Sequence, residues 1–155
     1  MTSRVFHTRG ADETRALAAR LGRELRAGDL LCLVGDLGAG KTTFTQGLAR
    51  GLGLPPDEPI NSPTFTLIAE HPGGRVPLYH FDMYRLPDSS GLADLAFDEY
   101  LEADGVVVIE WADRIADVLP ADRLDITLTA ADAPDAREIT LTPRGVRAGQ
   151  IIEGL

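Results

Sequence analysis

The octapeptide Gly35-Asp36-Leu37-Gly38-Ala39-Gly40-Lys41-Thr42 matches the phosphate-binding loop pattern G-x-x-x-x-G-K-[ST]. Its glycines let the backbone turn and aim several N–H groups inward, at the positive end of a following helix. Lys41 is the only lysine in the chain, and its compact ammonium group suits β- and γ-phosphate oxygens better than a planar guanidinium does. Thr42 offers a hydroxyl to the Mg²⁺ that accompanies a nucleotide. The motif therefore predicts a nucleotide site.

The sequence on either side of this loop supports the prediction. Residues 29–34 form a short apolar run that is typical of a strand buried on both faces. Residues 43–52 place Phe44, Leu48 and Leu52 at helical spacing. Because the motif requires a strand, a glycine loop and a helix in that order, we favour a nucleotide site over an ordinary glycine-rich strand-to-helix turn.

Length and composition limit the possible functions. The 155 residues predict a single domain spanning 1–155, and the lone Cys32 allows no internal disulfide. A net charge of -9 argues against a broad surface for nucleic acid or acidic membranes, so we expect any RNA to be contacted through another protein. The longest aliphatic run, residues 106–109, is too short to span a bilayer. With no secretory signal at the N-terminus, the expected location is cytoplasmic.

Hydrophobic periodicity predicts the remaining elements. Predicted helices cover residues 12–26, 94–102 and 111–119, and predicted strands cover 64–70, 76–82, 105–110, 124–129 and 138–142. Turn signals join the first two of these strands, and also the last two, into antiparallel hairpins. The predicted class is α/β: a P-loop NTPase-like three-layer α/β/α fold whose mixed sheet is parallel around the loop strand and antiparallel in its edge hairpins.

Two acidic residues at strand ends are candidates to complete the site. Glu110 follows four aliphatic residues, as in a Walker B strand, and Asp82 ends the strand predicted before it. Ligands collect outside the carboxyl ends of parallel strands, so either acid can reach a metal, although each can also be a solvated strand end. The segment Ser62-Pro63-Thr64 is either a loop that orders around the γ-phosphate or a plain strand-entry turn.

Four sequence blocks in fixed order point to one protein family. They are the phosphate-binding loop through Phe44, the segment 62–67, the segment His80-Phe81-Asp82-Met83-Tyr84-Arg85-Leu86, and Ile109-Glu110-Trp111. Together they resemble the TsaE (YjeE) family, bacterial ATPases required for threonylcarbamoyladenosine formation at position 37 of tRNA. The resemblance implies ATP hydrolysis coupled to a TsaB–TsaD complex, in which TsaD transfers the carbamoyl group and TsaE permits repeated turnover. Contact with tRNA would then be only indirect, through these partners.

The resemblance also implies roles for individual residues. Nucleotide contacts would come from the loop and from one arginine near the last strand: Gly35, Gly38, Ala39, Gly40, Lys41, Thr42, Thr43 and Arg137. Thr42 and Glu110 would hold Mg²⁺. Lys41, Glu110 and Asp82 would act in catalysis, with Asp82 as a second catalytic or outer-shell acid.

Two other functions remain compatible with the loop. A P-loop kinase for a small metabolite has a similar size, but the chain lacks the arginine-rich lid that phosphoryl-transfer clamps need. A nucleotide-gated binding module, in which ATP orders residues 62–64 and hydrolysis is incidental, belongs to a different class. A GTPase is disfavoured because the guanine-reading N/T-K-x-D motif requires a second lysine.

Overall fold

A computed structural model describes residues 2–155, which form one seven-stranded sheet with helices packed on it. The strands are β1 (Arg4–Thr8), β2 (Leu30–Val34), β3 (Ile68–His71), β4 (Leu78–Asp82), β5 (Val106–Glu110), β6 (Arg123–Ala130) and β7 (Arg137–Arg144). The α-helices are α1 (Ala11–Arg23), α2 (Lys41–Gly51), α3 (Phe97–Leu101) and α4 (Val146–Glu153). Two 3₁₀ segments cover Ser89–Leu95 and Ala112–Val118.

The sheet is parallel in its centre and antiparallel at both edges. Its spatial order is β1-β7-β6-β2-β5-β4-β3. β2 lies between β5 and β6 and is parallel to both, and β4 extends the parallel part beside β5. The β3–β4 and β6–β7 pairs are antiparallel, and β1 adds an antiparallel strand outside β7. The predicted α/β class with a mixed sheet is confirmed.

The two faces of the sheet bury different cores because side chains alternate along each strand. Leu31 and Leu33 of β2 join the core beneath α1, α2 and α4. Leu30 and Cys32 face the other core, which the 3₁₀ segments and α3 cover. Burial raises the pKa of the Cys32 thiol to about 12, so this cysteine is an unreactive core residue. No helix within residues 2–155 combines the length and apolarity needed to cross a membrane.

Several boundaries differ from those predicted. β1 and α4 were not predicted, because β1 is a short edge strand and α4 contains Gly149. The predicted helix 94–102 is a 3₁₀ segment and α3, separated by Ala96 in the left-handed conformation. The strand predicted for 64–70 begins only at Ile68, since Leu67 is left-handed (φ 70°) and breaks the extended backbone.

Candidate functional site

The glycine loop joins the carboxyl end of β2 to the first turn of α2. Gly40 is left-handed (φ 102°), and its carbonyl accepts the first helical hydrogen bond from Phe44 N at 2.8 Å. A Cβ at Gly35 would lie 2.6 Å from the carbonyl oxygen of Leu128 on β6. The loop thus depends on glycine both for a left-handed turn and for a close approach to β6.

Lys41 is buried in the mouth of this loop, with only 5% of its surface exposed. Its Nζ donates to the carbonyl oxygens of Gly35 at 2.6 Å and Asp36 at 2.9 Å, and lies 4.0 Å from the centre of the Trp111 ring. Burial lowers the pKa of the ammonium group below its ordinary value, while the carboxylate of Glu110 acts in the opposite direction. The lysine is therefore part of the packed site rather than a solvated loop residue.

The sheet register brings the two predicted acids together. Asp82 and Glu110 are the last residues of β4 and β5, and they pair directly in the parallel ladder. Both lie in phase with Leu78 and Val108, which belong to the core beneath α2. The two carboxylates are 1% and 2% exposed. Both acids therefore lie on the face that carries the first turn of α2.

Thr42 and Glu110 bring together two oxygen atoms that could bind a metal ion at the start of α2. Thr42 Oγ1 donates to Glu110 Oε1 at 3.2 Å. Mg²⁺ takes oxygen ligands octahedrally at about 2.0–2.1 Å, which sets adjacent ligands about 3.0 Å apart. The hydroxyl and carboxylate oxygens thus fit adjacent positions around such an ion.

Asp82 anchors the segment that precedes β3. Its Oδ2 accepts hydrogen bonds from Ser62 Oγ and from Thr64 Oγ1, the latter at 3.0 Å, and its Oδ1 accepts from Tyr84 N at 2.9 Å. A carboxylate offers about four acceptor positions, so one remains. Residues 62–64 are consequently held at the site through the side chain of Asp82.

Arg137, the first residue of β7, supports the glycine loop through hydrogen bonds to its backbone. Its Nε donates to Ala39 O at 2.9 Å and its Nη2 to Gly38 O at 3.1 Å. Its Nη1 donates to the carbonyl oxygens of Pro134 and Ala136. These bonds hold the loop carbonyls outward, which favours N–H groups turned inward. The nucleotide contact implied for Arg137 stays a prediction.

Most of the predicted residues surround one open cavity of about 400 Å³. Its lining includes Gly38, Gly40, Lys41, Thr42, Thr43, Asp82 and Glu110. Gly35 and Ala39 lie on the β6 side of the loop, beside a separate cavity. The structure therefore gathers the loop, the helix start and both acids, while Arg137 contacts the loop from behind.

One buried residue at this site was not predicted from the sequence. His80 is completely buried, and its Nε2 is hydrogen-bonded to Glu110 Oε2. The three histidines show no metal-ligand spacing in the sequence, so none was selected. The usable signal was that His80 and Asp82 are two residues apart on one strand and must share a face.

Comparisons with known proteins agree with this geometry. A family model described as "Threonylcarbamoyl adenosine biosynthesis protein TsaE" matches residues 8–139. The tRNA threonylcarbamoyladenosine biosynthesis protein TsaE of Bacillus subtilis (strain 168) is 47% identical over 150 residues, covering 97% of this chain and 92% of that protein. The protein of the same name from Streptomyces coelicolor is 44% identical over 141 residues, covering 86% and 92%.

A solved structure is also similar along almost the whole chain. The crystal structure of YdiB from B. subtilis has a TM-score of 0.85 at 41% identity, covering 98% of this chain and 93% of that one. Fold and loop together define a P-loop NTPase-like α/β/α protein. Within that class the chain belongs to the TsaE family, which confirms the resemblance seen in the four sequence blocks.

Proposed function

We propose that this protein binds ATP with Mg²⁺ and hydrolyses it to support threonylcarbamoyl modification of adenosine 37 in tRNAs. The observation that carries the proposal is the 3.2 Å contact between Thr42 Oγ1 and Glu110 Oε1, beside the ammonium group of Lys41 in one cavity. Membership of the TsaE family supports the pathway. The matched hydroxyl and carboxylate support metal-dependent nucleotide chemistry.

Each residue at the site has a distinct part in this proposal. The loop N–H groups and the positive end of α2 bind the phosphates, and Lys41 exchanges its carbonyl partners for β- and γ-phosphate oxygens. Thr42 and Glu110 would hold Mg²⁺, which supplies charge neutralisation when it is bound. Asp82, with one acceptor position free, orients the attacking water. Catalysis then rests on positioning and electrostatics.

The protein is expected to act with partners. We propose that a TsaB–TsaD-type complex stimulates hydrolysis and that tRNA is contacted only through this complex. We propose that the protein acts in the cytoplasm. The net charge of -9 supports an indirect role toward tRNA, because phosphate contacts come chiefly from clustered lysine and arginine. Slow hydrolysis by the isolated protein follows, since an active but unpartnered subunit would consume ATP without product.

Steady-state ATPase assays with and without purified TsaB–TsaD and tRNA test this function. We expect the complex to stimulate the wild-type protein, and Glu110→Gln and Asp82→Asn to lose about 10²-fold or more in kcat. Glu138→Gln is the matched control, because Glu138 is an exposed acid on β7. A wild-type rate that the complex leaves unchanged, together with Glu110→Gln at full rate, would refute the proposal.

A nucleotide-gated binding module is the second candidate. The bonds from Ser62 and Thr64 to Asp82 favour it, because they connect a loop directly to the cavity. The same Glu110→Gln variant separates the two functions. A gated module carrying this change still supports repeated tRNA modification, whereas an ATPase arrests after about one cycle.

A further inference from the structure

The burial of the His80 side chain is only partly compensated by hydrogen bonds. The side chain has no exposed surface. Among residues 2–155, its Nε2 has Glu110 as a partner, while its Nδ1 has none. Burying a polar atom without a hydrogen bond destabilises the folded state, whereas an apolar side chain would fill the same space without that penalty. Packing alone therefore does not account for an imidazole here.

The contact with Glu110 defines what the ring does. In the metal-binding role proposed for Glu110 its carboxylate can only accept hydrogen bonds, so in that role Nε2 is the donor. His80 lies in phase with Asp82 on β4, and Val108, its partner in the ladder, lies two residues before Glu110. The strand register thus points the imidazole at the Glu110 carboxylate from the interior of the protein.

Glu110 is consequently held from two sides. His80 donates to Oε2, and Thr42 donates to Oε1 at 3.2 Å. A glutamate side chain has three rotatable torsions, so a carboxylate hydrogen-bonded at only one oxygen can still change its orientation. With Oε2 fixed from the interior, Oε1 stays directed at Thr42 and the cavity.

We propose that His80 is a positioning residue that presents Oε1 of Glu110 to the metal, an inference that rests on the metal role proposed above for Glu110. The ring does not line the cavity, and it acts through the carboxylate. Residues that orient a metal ligand in this way typically change metal affinity or activity by about 10- to 100-fold when they are replaced.

The test measures metal affinity rather than turnover. Mn²⁺ is titrated into the protein with the unhydrolysable analogue AMPPNP, with protein in excess so that all nucleotide is bound, and free Mn²⁺ is followed by electron paramagnetic resonance. His80→Leu removes the donor, and His80→Asn carries an amide too short to reach Glu110. We expect both to weaken Mn²⁺ binding about 10- to 100-fold. His80→Gln, whose amide nitrogen lies near the position of Nε2, should bind Mn²⁺ nearly as well as wild type.

His71→Leu is the matched control. His71 is another buried histidine, its Nδ1 lies 2.9 Å from Glu58 Oε2, and its Nε2 likewise has no partner in the part of the chain that the structure describes. It does not line the cavity. We expect its Mn²⁺ affinity to equal that of wild type. Thermal unfolding of each variant shows whether weaker Mn²⁺ binding comes from unfolding or from a misoriented Glu110 carboxylate. If His80→Leu does not fold, the Mn²⁺ affinities of His80→Gln and His80→Asn are compared instead.

Glu110→Gln distinguishes the possible failures. If His80→Leu and His80→Asn bind Mn²⁺ as wild type does while Glu110→Gln binds it weakly, the positioning role of His80 is overturned. The metal role of Glu110 then stands. A folded His80→Gln that binds Mn²⁺ as weakly as His80→Asn would also overturn the positioning role. Unchanged Mn²⁺ affinity in Glu110→Gln itself would overturn the metal role of Glu110 and the role of His80 with it.

Discussion

Replacement of Arg137 by alanine should weaken the binding of every ligand that carries phosphate groups. The guanidinium donates to Ala39 O at 2.9 Å and to Gly38 O at 3.1 Å, and so fixes two consecutive peptide groups of the glycine loop. Without these bonds the two carbonyl groups can rotate toward solvent, and the loop becomes ordered only when the ligand binds. The free-energy cost of ordering the loop then reduces the observed binding affinity.

The size of this effect follows from the two hydrogen bonds. A hydrogen bond to a charged group contributes about 1.5–3 kcal/mol when it is buried. Arg137 is partly exposed, which reduces the contribution, so we expect about 1–2 kcal/mol for the pair. That free energy corresponds to a loss of about 5- to 30-fold in affinity.

Isothermal titration calorimetry with ATP and with inorganic tripolyphosphate measures the loss. A residue that supports the loop affects both ligands by the same factor, whereas a direct contact with the base or ribose affects ATP alone. Arg144→Ala is the control, since Arg144 lies on the same strand and pairs with Asp125 through a half-exposed side chain. Unchanged affinity of Arg137→Ala for both ligands, or a loss confined to ATP, would refute the support role.

Two further predictions concern the loop lysine and the opposite end of β2. Lys41→Arg should lose about tenfold or more in ATP affinity, measured by calorimetry. The ammonium group fits between two carbonyl groups and an indole ring 4.0 Å away, where a planar guanidinium is too wide. Wild-type ATP affinity in this variant would contradict the prediction. Asp29→Ala should lower the free energy of unfolding by about 2–3 kcal/mol, because Asp29 is buried and accepts two hydrogen bonds at 2.9 Å from Arg147, which is partly exposed. Thermal denaturation should show a midpoint lower by about 5–10 °C, and a midpoint within the error of wild type would show that the pair is dispensable. ATP affinity should stay unchanged in Asp29→Ala.

The local parts of the fold were predictable because short sequence patterns determine them. The buried strand before the loop, the loop itself and the helix after it follow from apolar runs and glycine positions that are adjacent in sequence. The edge hairpins follow from alternation and turn residues. In the same way, Glu110 and Asp82 were found because each ends a recognisable strand.

Contacts between distant segments were not predictable from those patterns. The pairing of Asp82 with Glu110 depends on which strands are neighbours and in what register, and a single sequence does not state either. The bond from His80 to Glu110 depends on the same register. The burial of Lys41 against Trp111 likewise requires β5 to lie beside β2, which no local pattern states.

A crystal structure of the protein grown with AMPPNP and Mg²⁺ tests the central claim most directly. We predict a triphosphate enclosed by the loop N–H groups, with Nζ of Lys41 moved from the carbonyls of Gly35 and Asp36 to phosphate oxygens, and with Mg²⁺ bound by Thr42 and Glu110. Nucleotide bound elsewhere, or a cavity that still holds Lys41 in its present contacts without nucleotide, would contradict the assignment.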